Sequence, residues 1–417
     1  MAKLRKLLIN IAKKHRWLLN FLRGLRYAYF RLRFMFFYYT QKTDSHIVLF
    51  DAYMGRQFAC SPEAIYLEML NDPRFSDFTF VWAFRNPGDF SYLKGNKNTL
   101  TTVYESGEYF KYCAKAKYWI TNSRLNEAIK KKPEQVYIQC WHGTPLKKLG
   151  YDIEVKGGNA MNSVADIQHK YKIDSKRYTY MISPSPFCTE KFASAFDLEH
   201  PEIIKEVGYP RNDALFKYTE SDVERIKTEL GIPEDKRVIL YAPTWRDDCH
   251  ESGKGYVYKA QLDFKRMRDA LGDKFVLLFR THYFISNYID LSEFEGFVYN
   301  VSRHNDINEL YIISDMLITD YSSVFFDFAN LKRPIIFYMY DYDSYKTKLR
   351  DFYIDVSTLP GPIVKTQDEL QSAIASYKEN ATLYKDKYTA FLEKFCPKDD
   401  GFAAKRVVDC CIEPQTY

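Results

Sequence analysis

The sequence contains no uninterrupted apolar run of the roughly 18 residues that a membrane-spanning helix needs. A secretory leader is not evident either, because the apolar stretches near the start are cut repeatedly by Lys and Arg. Eight cysteines form no C-x-x-C pair and no zinc-binding spacing, which argues for reduced thiols in a cytosolic protein. No HExxH or Walker sequence occurs, so no metal site is read and no cofactor is called for. Internal repeats and low-complexity linkers are missing as well. Acid is scarce in one place: residues 1–43 hold eleven Lys/Arg and no Asp or Glu.

What is present describes a large folded chain. At 417 residues it exceeds one ordinary core, and two domains are expected. Apolar residues make up 46% and charged residues 27%, which excludes intrinsic disorder. Of 60 Lys/Arg in all, 49 fall after residue 43 against 54 Asp/Glu, so a mildly acidic body carries a basic head. Within that head Leu7, Leu8, Ile11, Trp17, Leu18, Phe21, Leu22, Leu25, Tyr29 and Phe30 recur at helical spacing. Such a helix can lie in a membrane interface, with Lys13, Lys14, Arg16, Arg23 and Arg26 toward anionic headgroups and Trp17 at the boundary. The alternatives are a helix packed on the protein's own core and a nucleic-acid arm. Basic charge interleaved with Trp, Phe and Tyr rather than Gly and Ser favours the membrane surface, and no nucleic-acid partner is expected.

From residue 45 onward, strands alternate with helices. Apolar runs at 47–50, 78–84, 101–103, 118–120, 136–141, 180–182 and 203–207 read as strands. A second set follows at 238–241, 275–279, 296–300, 316–318 and 335–338. Alternation of this kind gives parallel sheets, so the fold class is α/β with two doubly wound domains. The expected boundaries are a basic segment 1–43, a first domain 44–213, a polar helical linker 214–235, a second domain 236–395 and a closing helix within 396–417.

Ligands of parallel sheets bind beyond the carboxyl ends of the strands, and polar residues gather there. They are His142-Gly143-Thr144-Pro145, Thr244-Trp245-Arg246-Asp247, Arg280-Thr281-His282 and Thr319-Asp320-Tyr321-Ser322-Ser323. A histidine in each half fits a cleft between domains. A neutral imidazole at His142 could take a proton from an attacking hydroxyl, and Gly143 would let backbone approach a ligand. Arg280 and His282, alternating on an extended segment, could neutralise a departing diphosphate. Ser322 and Ser323 at a helix start read as a phosphate seat, or else Asp320 or Ser322 merely caps that helix. Arg211 is either a further phosphate ligand or one side of a salt bridge at the domain joint.

Taken in order, QCWHGTPLKKLG at 139–150, GYPRND at 208–213, YAPTWRD at 241–247, FRTHY at 279–283 and DINELYIISDMLITDYSSVFFDF at 306–328 resemble the CDP-glycerol glycerophosphotransferases. The likeness extends to DDGFAAKRVVD near the end. It implies a GT-B architecture, two Rossmann-like domains with the active site in the cleft. It further implies transfer of glycerol phosphate from CDP-glycerol to an acceptor hydroxyl, with release of CMP, in teichoic-acid synthesis. On the matching motifs His142 and His282 would be catalytic, His142 activating the acceptor and His282 with Arg280 engaging the diphosphate. Thr319, Ser322 and Ser323 would cradle phosphate and Asp320 would hold that turn. Gly143, Thr144, Arg211, Thr244, Arg246 and Asp327 complete the expected substrate contacts. The implied partners are CDP-glycerol, a lipid-linked glycan or glycerol-phosphate acceptor, and the anionic cytoplasmic face of the cell membrane, with room for a homo-oligomer. Ribitol-phosphate transfer, another GT-B activity (sugar transfer or epimerisation) and a non-catalytic nucleotide-binding scaffold remain as alternatives. The length is nearer to primase-like members than to the large polymerases.

Overall fold

A computed structural model describes residues 16–154, 163–244, 250–251, 255–256, 262–281, 290–342 and 352–412. His282, Arg246, Lys13 and Lys14 lie outside the described residues.

Two parallel sheets carry the fold. The first is built from β1 (Asp44–Asp51), β2 (Thr79–Phe84), β3 (Thr99–Val103), β4 (Ala116–Thr121), β5 (Val136–Gln139), β6 (Tyr180–Ser183) and β7 (Ile204–Glu206). Their spatial order is β3-β2-β1-β4-β5-β6-β7. In the second domain β8 (Arg237–Ala242) precedes a two-stranded hairpin of β9 (His250–Glu251) and β10 (Gly255–Tyr256). The second sheet then adds β11 (Phe275–Phe279), β12 (Val298–Asn300), β13 (Met316–Thr319), β14 (Ile335–Tyr338) and β15 (Ile363–Val364), in the order β12-β11-β8-β13-β14-β15. Both sheets therefore follow the 3-2-1-4-5-6 winding of a Rossmann fold. The expected strands are found within a few residues of their bounds; β15 and the hairpin were not read from the sequence.

The central strands are hydrophobic on both sides because helices cover both faces of each sheet. Val48, Phe50, Trp82 and Ile120 face one apolar layer, and Leu49, Val81, Trp119 and Tyr137 face the other. The second sheet is sandwiched in the same way, Leu240, Leu278 and Leu317 on one side and Ile239, Leu277 and Ile318 on the other.

The segment 214–235 is more than a linker. Its helix Glu220–Leu230 starts on a Thr219–Asp222 capping box and ends at Gly231 in the left-handed conformation. Leu215, Ile226 and Ile232 all enter the second domain's core. The chain crosses between domains at the tight turn Pro210–Asp213. It returns through the helix Ala403–Cys411, whose first N–H groups at Ala403 and Ala404 are capped by the Asp213 carboxylate at 2.9 and 2.8 Å. Val407, Val408 and Cys411 then pack in the first domain.

The basic head forms the helix Arg16–Thr40. Phe34 is fully buried and lies edge-on to Phe110, with Phe30, Phe37 and Tyr38 beside it in the first domain's core. The opposite side leaves Phe21, Leu25, Leu32, Phe36 and Tyr39 exposed, with Trp17 70% accessible. The helix is thus apolar on two faces, and the one turned outward is not covered by any of the described residues. No described helix is long and apolar enough to cross a membrane.

Candidate active site

The cleft between the two sheets has a volume of about 420 Å³. One wall is the run Trp141–Lys147; the other is formed by Ala242, Pro243, Thr244, Arg280, Thr281, Tyr321, Ser322 and Ser323.

His142 is aimed into it by the residues on either side of β5. Gln139 is buried, and its Oε1 accepts the Trp141 N–H at 2.9 Å. That bond helps hold Trp141 at φ 48°, a left-handed conformation costly for a bulky residue. The indole packs against Phe196 and Tyr171 in the core, and the His142 ring lies beside it at 4.2 Å between centroids, at the cleft wall. There His142 Nδ1 lies 2.7 Å from the Asn122 carbonyl oxygen. A carbonyl only accepts, so Nδ1 carries the hydrogen and Nε2 keeps its lone pair. Poor solvation, then the nearby Arg211 and Arg124, push the pKa of His142 down to about 4 against the support of the Asn122 bond. By surface area the ring is open to the cleft. It is a neutral base at neutral pH.

Asn122 has a second duty. Its Oδ1 accepts the Tyr53 N–H at 2.8 Å, and Ser123 Oγ accepts the Met54 N–H at 3.0 Å. Tyr53, Met54 and Gly55 have φ of 51°, 58° and 71°, so one turn after β4 pins a strained loop after β1 beside the base.

The opposite wall is organised by Asp320. Its Oδ1 accepts the Thr244 N–H at 2.7 Å and the Tyr321 N–H at 2.6 Å, joining the ends of β8 and β13. These neighbours flank the point where the winding order reverses. Ser322 and Ser323 are half-buried, and their hydroxyls make no hydrogen bond among the described residues. Ser323 caps no N–H, and the helix that follows, Val324–Phe328, is five residues long. The seat therefore rests on hydroxyls and local N–H groups more than on a helix dipole. Arg280 is held by one nitrogen, Nη1, which donates to Val301 and His304 carbonyls at 3.0 and 2.9 Å. Burial lowers its pKa, yet a guanidinium stays charged.

The two walls meet at Gly143. A Cβ there would stand 2.9 Å from Ser323 Oγ. The glycine serves the approach of the two domains as well as that of a ligand.

Four expected substrate contacts are tied into the protein itself by the structure. Thr319 is fully buried and its hydroxyl donates to Ala242 O at 2.8 Å, so it stitches β13 to β8. Thr144 lines the cleft but is 2% exposed, its hydroxyl 3.8 Å from Cys188 Sγ. Arg211 and Asp327 form a buried two-point ion pair at 3.1 and 2.9 Å, with the guanidinium 3.7 Å from the Tyr209 ring centroid. Arg211 is thus the salt bridge of the joint. Asn212 joins it, donating to Asp327 at 3.1 Å and to Asp399 at 2.7 Å, and Asn308 Nδ2 donates to the Arg211 carbonyl at 2.7 Å. Residues missed from the sequence are Asn122 and Lys147, the latter on the cleft wall within the quoted HGTPLKKLG run.

On the first helix Arg26 donates to Glu105 at 3.0 Å and Arg23 is half-buried, while Arg16 opens the helix. No group of three metal-ligating side chains is found among the described residues.

Comparison with known proteins agrees with this geometry. The chain is 40% identical over 373 residues to a teichoic acid poly(glycerol phosphate) polymerase of Bacillus spizizenii, covering 88% of this chain and 92% of that one. It is 41% identical over 371 residues to a teichoic acid glycerol-phosphate transferase of Staphylococcus aureus, covering 87% and 92%. The solved structure of the wall teichoic acid polymerase TagF superimposes with a TM-score of 0.84 at 36% identity, over 93% of this chain and 96% of that one. Residues 33–413 match the model of one family, and with the two-domain GT-B fold and the cleft between its sheets the chain belongs to the CDP-glycerol:poly(glycerophosphate) glycerophosphotransferases.

Proposed function

We propose that the protein transfers glycerol phosphate from CDP-glycerol to a hydroxyl of a lipid-linked acceptor. The observation that carries this reading is the placement of a neutral His142, Nε2 unprotonated, in one cleft with Arg280 and the serine pair. The acceptor hydroxyl gives its proton to His142 Nε2 as its oxygen attacks the phosphorus that bears glycerol. A new P–O bond forms, the bond to the bridging oxygen breaks, and CMP leaves. Arg280, Ser322 and Ser323 steady the charge that grows on the departing phosphate. His282 keeps the role that the family likeness implies for it, beside the diphosphate. No step in this scheme needs a cofactor.

The reading includes attachment to the cytoplasmic face of the membrane through the exposed side of the helix Arg16–Thr40. Trp17, Phe21 and Leu25 supply apolar area and the basic residues supply attraction to anionic lipid. Removing residues 1–43 would also take Phe34 out of the core. The cleaner test is Trp17→Glu with Phe21→Glu and Leu25→Glu. Sedimentation with anionic liposomes should be lost and turnover of a soluble acceptor kept; full liposome binding by the triple variant would remove this helix as the anchor.

The test of the reaction is a donor screen. The protein is incubated with CDP-glycerol, CDP-ribitol or a UDP-sugar and a short glycerol-phosphate lipid, and nucleotide release and product mass are followed. CMP release with added glycerol phosphate is expected, a single increment marking a primase and a ladder a polymerase. A ribitol increment would change the substrate and keep the chemistry. Turnover of a UDP-sugar alone would overturn the reading.

A further inference from the structure

The run HGTPLKKLG does more than carry His142, because between Leu146 and Leu149 it passes from one domain's core to the other's. Leu146 is buried in the apolar core of the second domain with Tyr321, Phe325 and Ile354. Leu149 packs against the core of the first. The turn that follows is fixed to the first domain. Gly150 has φ 47°, and a Cβ there would collide with the Ala195 carbonyl. Asp152 Oδ2 accepts the Ser194 hydroxyl at 2.7 Å, on the helix Pro186–Ala195.

At that crossing a short piece of the second domain lies across the run. Phe352 and Lys147 form an antiparallel bridge, and the Tyr353 N–H donates to Leu146 O at 2.9 Å. The Tyr353 hydroxyl accepts the Leu149 N–H at 3.2 Å and donates to Asp152 Oδ2 at 2.5 Å. Burial, then the Asp152 bond, raise the pKa of this phenol, so it keeps the proton it donates. Phe352 stacks on Tyr321, 5.8 Å between centroids and 22° between planes, directly before Ser322 and Ser323. Two adjacent side chains thus grip both walls of the cleft, one the run that carries the base and one the phosphate seat. Both chain crossings, Pro210–Asp213 and the helix Ala403–Cys411, meet at the joint, so the spacing of the cleft walls rests on noncovalent contacts.

We propose that Tyr353 is a positioning residue for the transfer, its hydroxyl and N–H fixing the run HGTPLKKLG so that His142 stands at a set distance from the phosphate seat. Phe352 ties that setting to the second domain through Tyr321. This rests on the reading that His142 is the base for the acceptor hydroxyl. A general base must come within hydrogen-bond reach of the proton it removes while the donor phosphorus sits on the other wall. A small shift of the run therefore lowers the rate and leaves each wall's own contacts intact.

The experiment uses the full chain with Tyr353→Phe, which keeps the ring and removes the hydroxyl that bridges Leu149 and Asp152. With CDP-glycerol and a short soluble glycerol-phosphate oligomer, kcat should fall roughly tenfold, the worth of one hydrogen bond. Donor affinity and the stoichiometry of CDP-glycerol binding, read by calorimetric titration, should stay as in the wild type. Asp152→Asn still offers the phenol an amide oxygen and should keep most of the rate. An unchanged kcat in Tyr353→Phe would overturn the proposal. So would a fall in binding stoichiometry that matches the fall in kcat, which would make Tyr353 a residue of the fold only. A loss confined to donor affinity would overturn it too, by placing Tyr353 with the donor. If the wild type released no CMP from CDP-glycerol, the functional reading would fail instead. Hydrogen exchange at the Leu149 amide would then decide the contact on its own: faster exchange in Tyr353→Phe supports the grip on the run, and equal exchange sinks it.

Discussion

The cleft and the joint beneath it are made of the same kinds of residue and treat them in opposite ways. In the cleft, His142 keeps one ring nitrogen without a hydrogen, and Ser322 and Ser323 line the wall with hydroxyls that make no hydrogen bond among the described residues. At the joint, Arg211, Asn212, Asp327 and Asp399 are tied to one another by five hydrogen bonds or caps shorter than 3.2 Å, counting Asp399 to the Tyr209 N–H. Polar groups bonded mainly to each other make structure, although Arg211 Nη1 and Asn212 Oδ1 are left without a hydrogen bond among the described residues, and polar groups held ready for something absent make a site. The distinction is not one of residue type, since each region has its cation and its hydrogen-bonding partners.

The sharpest way to break this contrast is at the joint. Asp327→Ala leaves the Arg211 guanidinium buried with its carboxylate gone, which should cost about 3–5 kcal/mol of stability. Replacing both partners with apolar residues of similar size should recover most of that loss. Urea denaturation of the single and double variants measures both. A single variant within about 1 kcal/mol of wild type would mean that the pair is not structural, and would reopen a substrate role for Arg211.

At the cleft the expectation inverts. His142→Ala should lower CMP release by at least roughly 100-fold, the lower end of general-base effects, with the denaturation midpoint little changed. Near wild-type turnover would take His142 out of the mechanism. A large loss of stability would make it a joint-like residue.

How far the sequence revealed this division depends on the length scale of each signal. Strand and helix alternation is local, so β1 to β14 were largely visible apart from the hairpin, and two sheets followed from the alternation. Their shared Rossmann winding came from the family likeness and not from the alternation, because the two halves share a backbone path and not a residue pattern. The strip β15 is two residues long and too short to carry periodicity. The polar clusters after the strands pointed to the cleft, and seven expected residues, His142, Gly143, Thr144, Thr244, Arg280, Ser322 and Ser323, line it. What the sequence could not say is which way each side chain turns. Thr144 and Thr319 sit beside the site and bond away from it, and Arg211 became a joint residue because Asp327, 116 positions later, meets it. Asn122 acts on His142 through a carbonyl oxygen, which every residue has, so no side-chain pattern could have signalled it. The helix Arg16–Thr40 shows the same limit, since its periodicity does not tell an inward apolar face from an outward one.

The contrast also has a signature in pH. Burial raises the pKa of Asp399 at the joint to about 6, against hydrogen bonds from Tyr209, Asn212 and Asn330 that lower it. A carboxyl whose folded pKa exceeds its unfolded value of 3.8 binds more protons when folded, so its stabilisation is full below pH 4 and is lost as pH rises through 6. His142 runs the other way. Its depressed folded pKa means that stability is lost as pH falls from 6.5 toward 4. Asp399→Asn should therefore flatten the decline between pH 4 and 6, on top of a constant cost for the acceptor it loses. Because the side chain is only half-buried by area, the pH-dependent part is set at about 1 kcal/mol. Thermal melts of wild type and variant across pH 4–8 give the difference directly, and parallel curves would show that the joint carboxyl does not titrate in this range.

The smallest expected effect falls where the two regions touch. Gly143 belongs to the cleft wall, yet the atom nearest to an added Cβ is Ser323 Oγ, 2.9 Å away on the other domain. Its φ lies outside the left-handed range, so alanine is allowed by the backbone and the only strain is this contact. The Ser323 hydroxyl can rotate aside, which makes the steric cost small, on the order of 1 kcal/mol or less. Rotation, however, moves a hydroxyl of the phosphate seat and holds the walls a few tenths of an ångström apart. Gly143→Ala should therefore keep its stability and lose activity about tenfold, the loss appearing in kcat because aligned reacting groups are needed at the transition state more than at binding. Gly143→Ala with Ser323→Ala would relieve the contact and should remain as slow, since the hydroxyl is then absent. If the double variant regains the wild-type rate, Ser323 is a spacer between domains, and the phosphate seat rests on Ser322 and the local N–H groups alone.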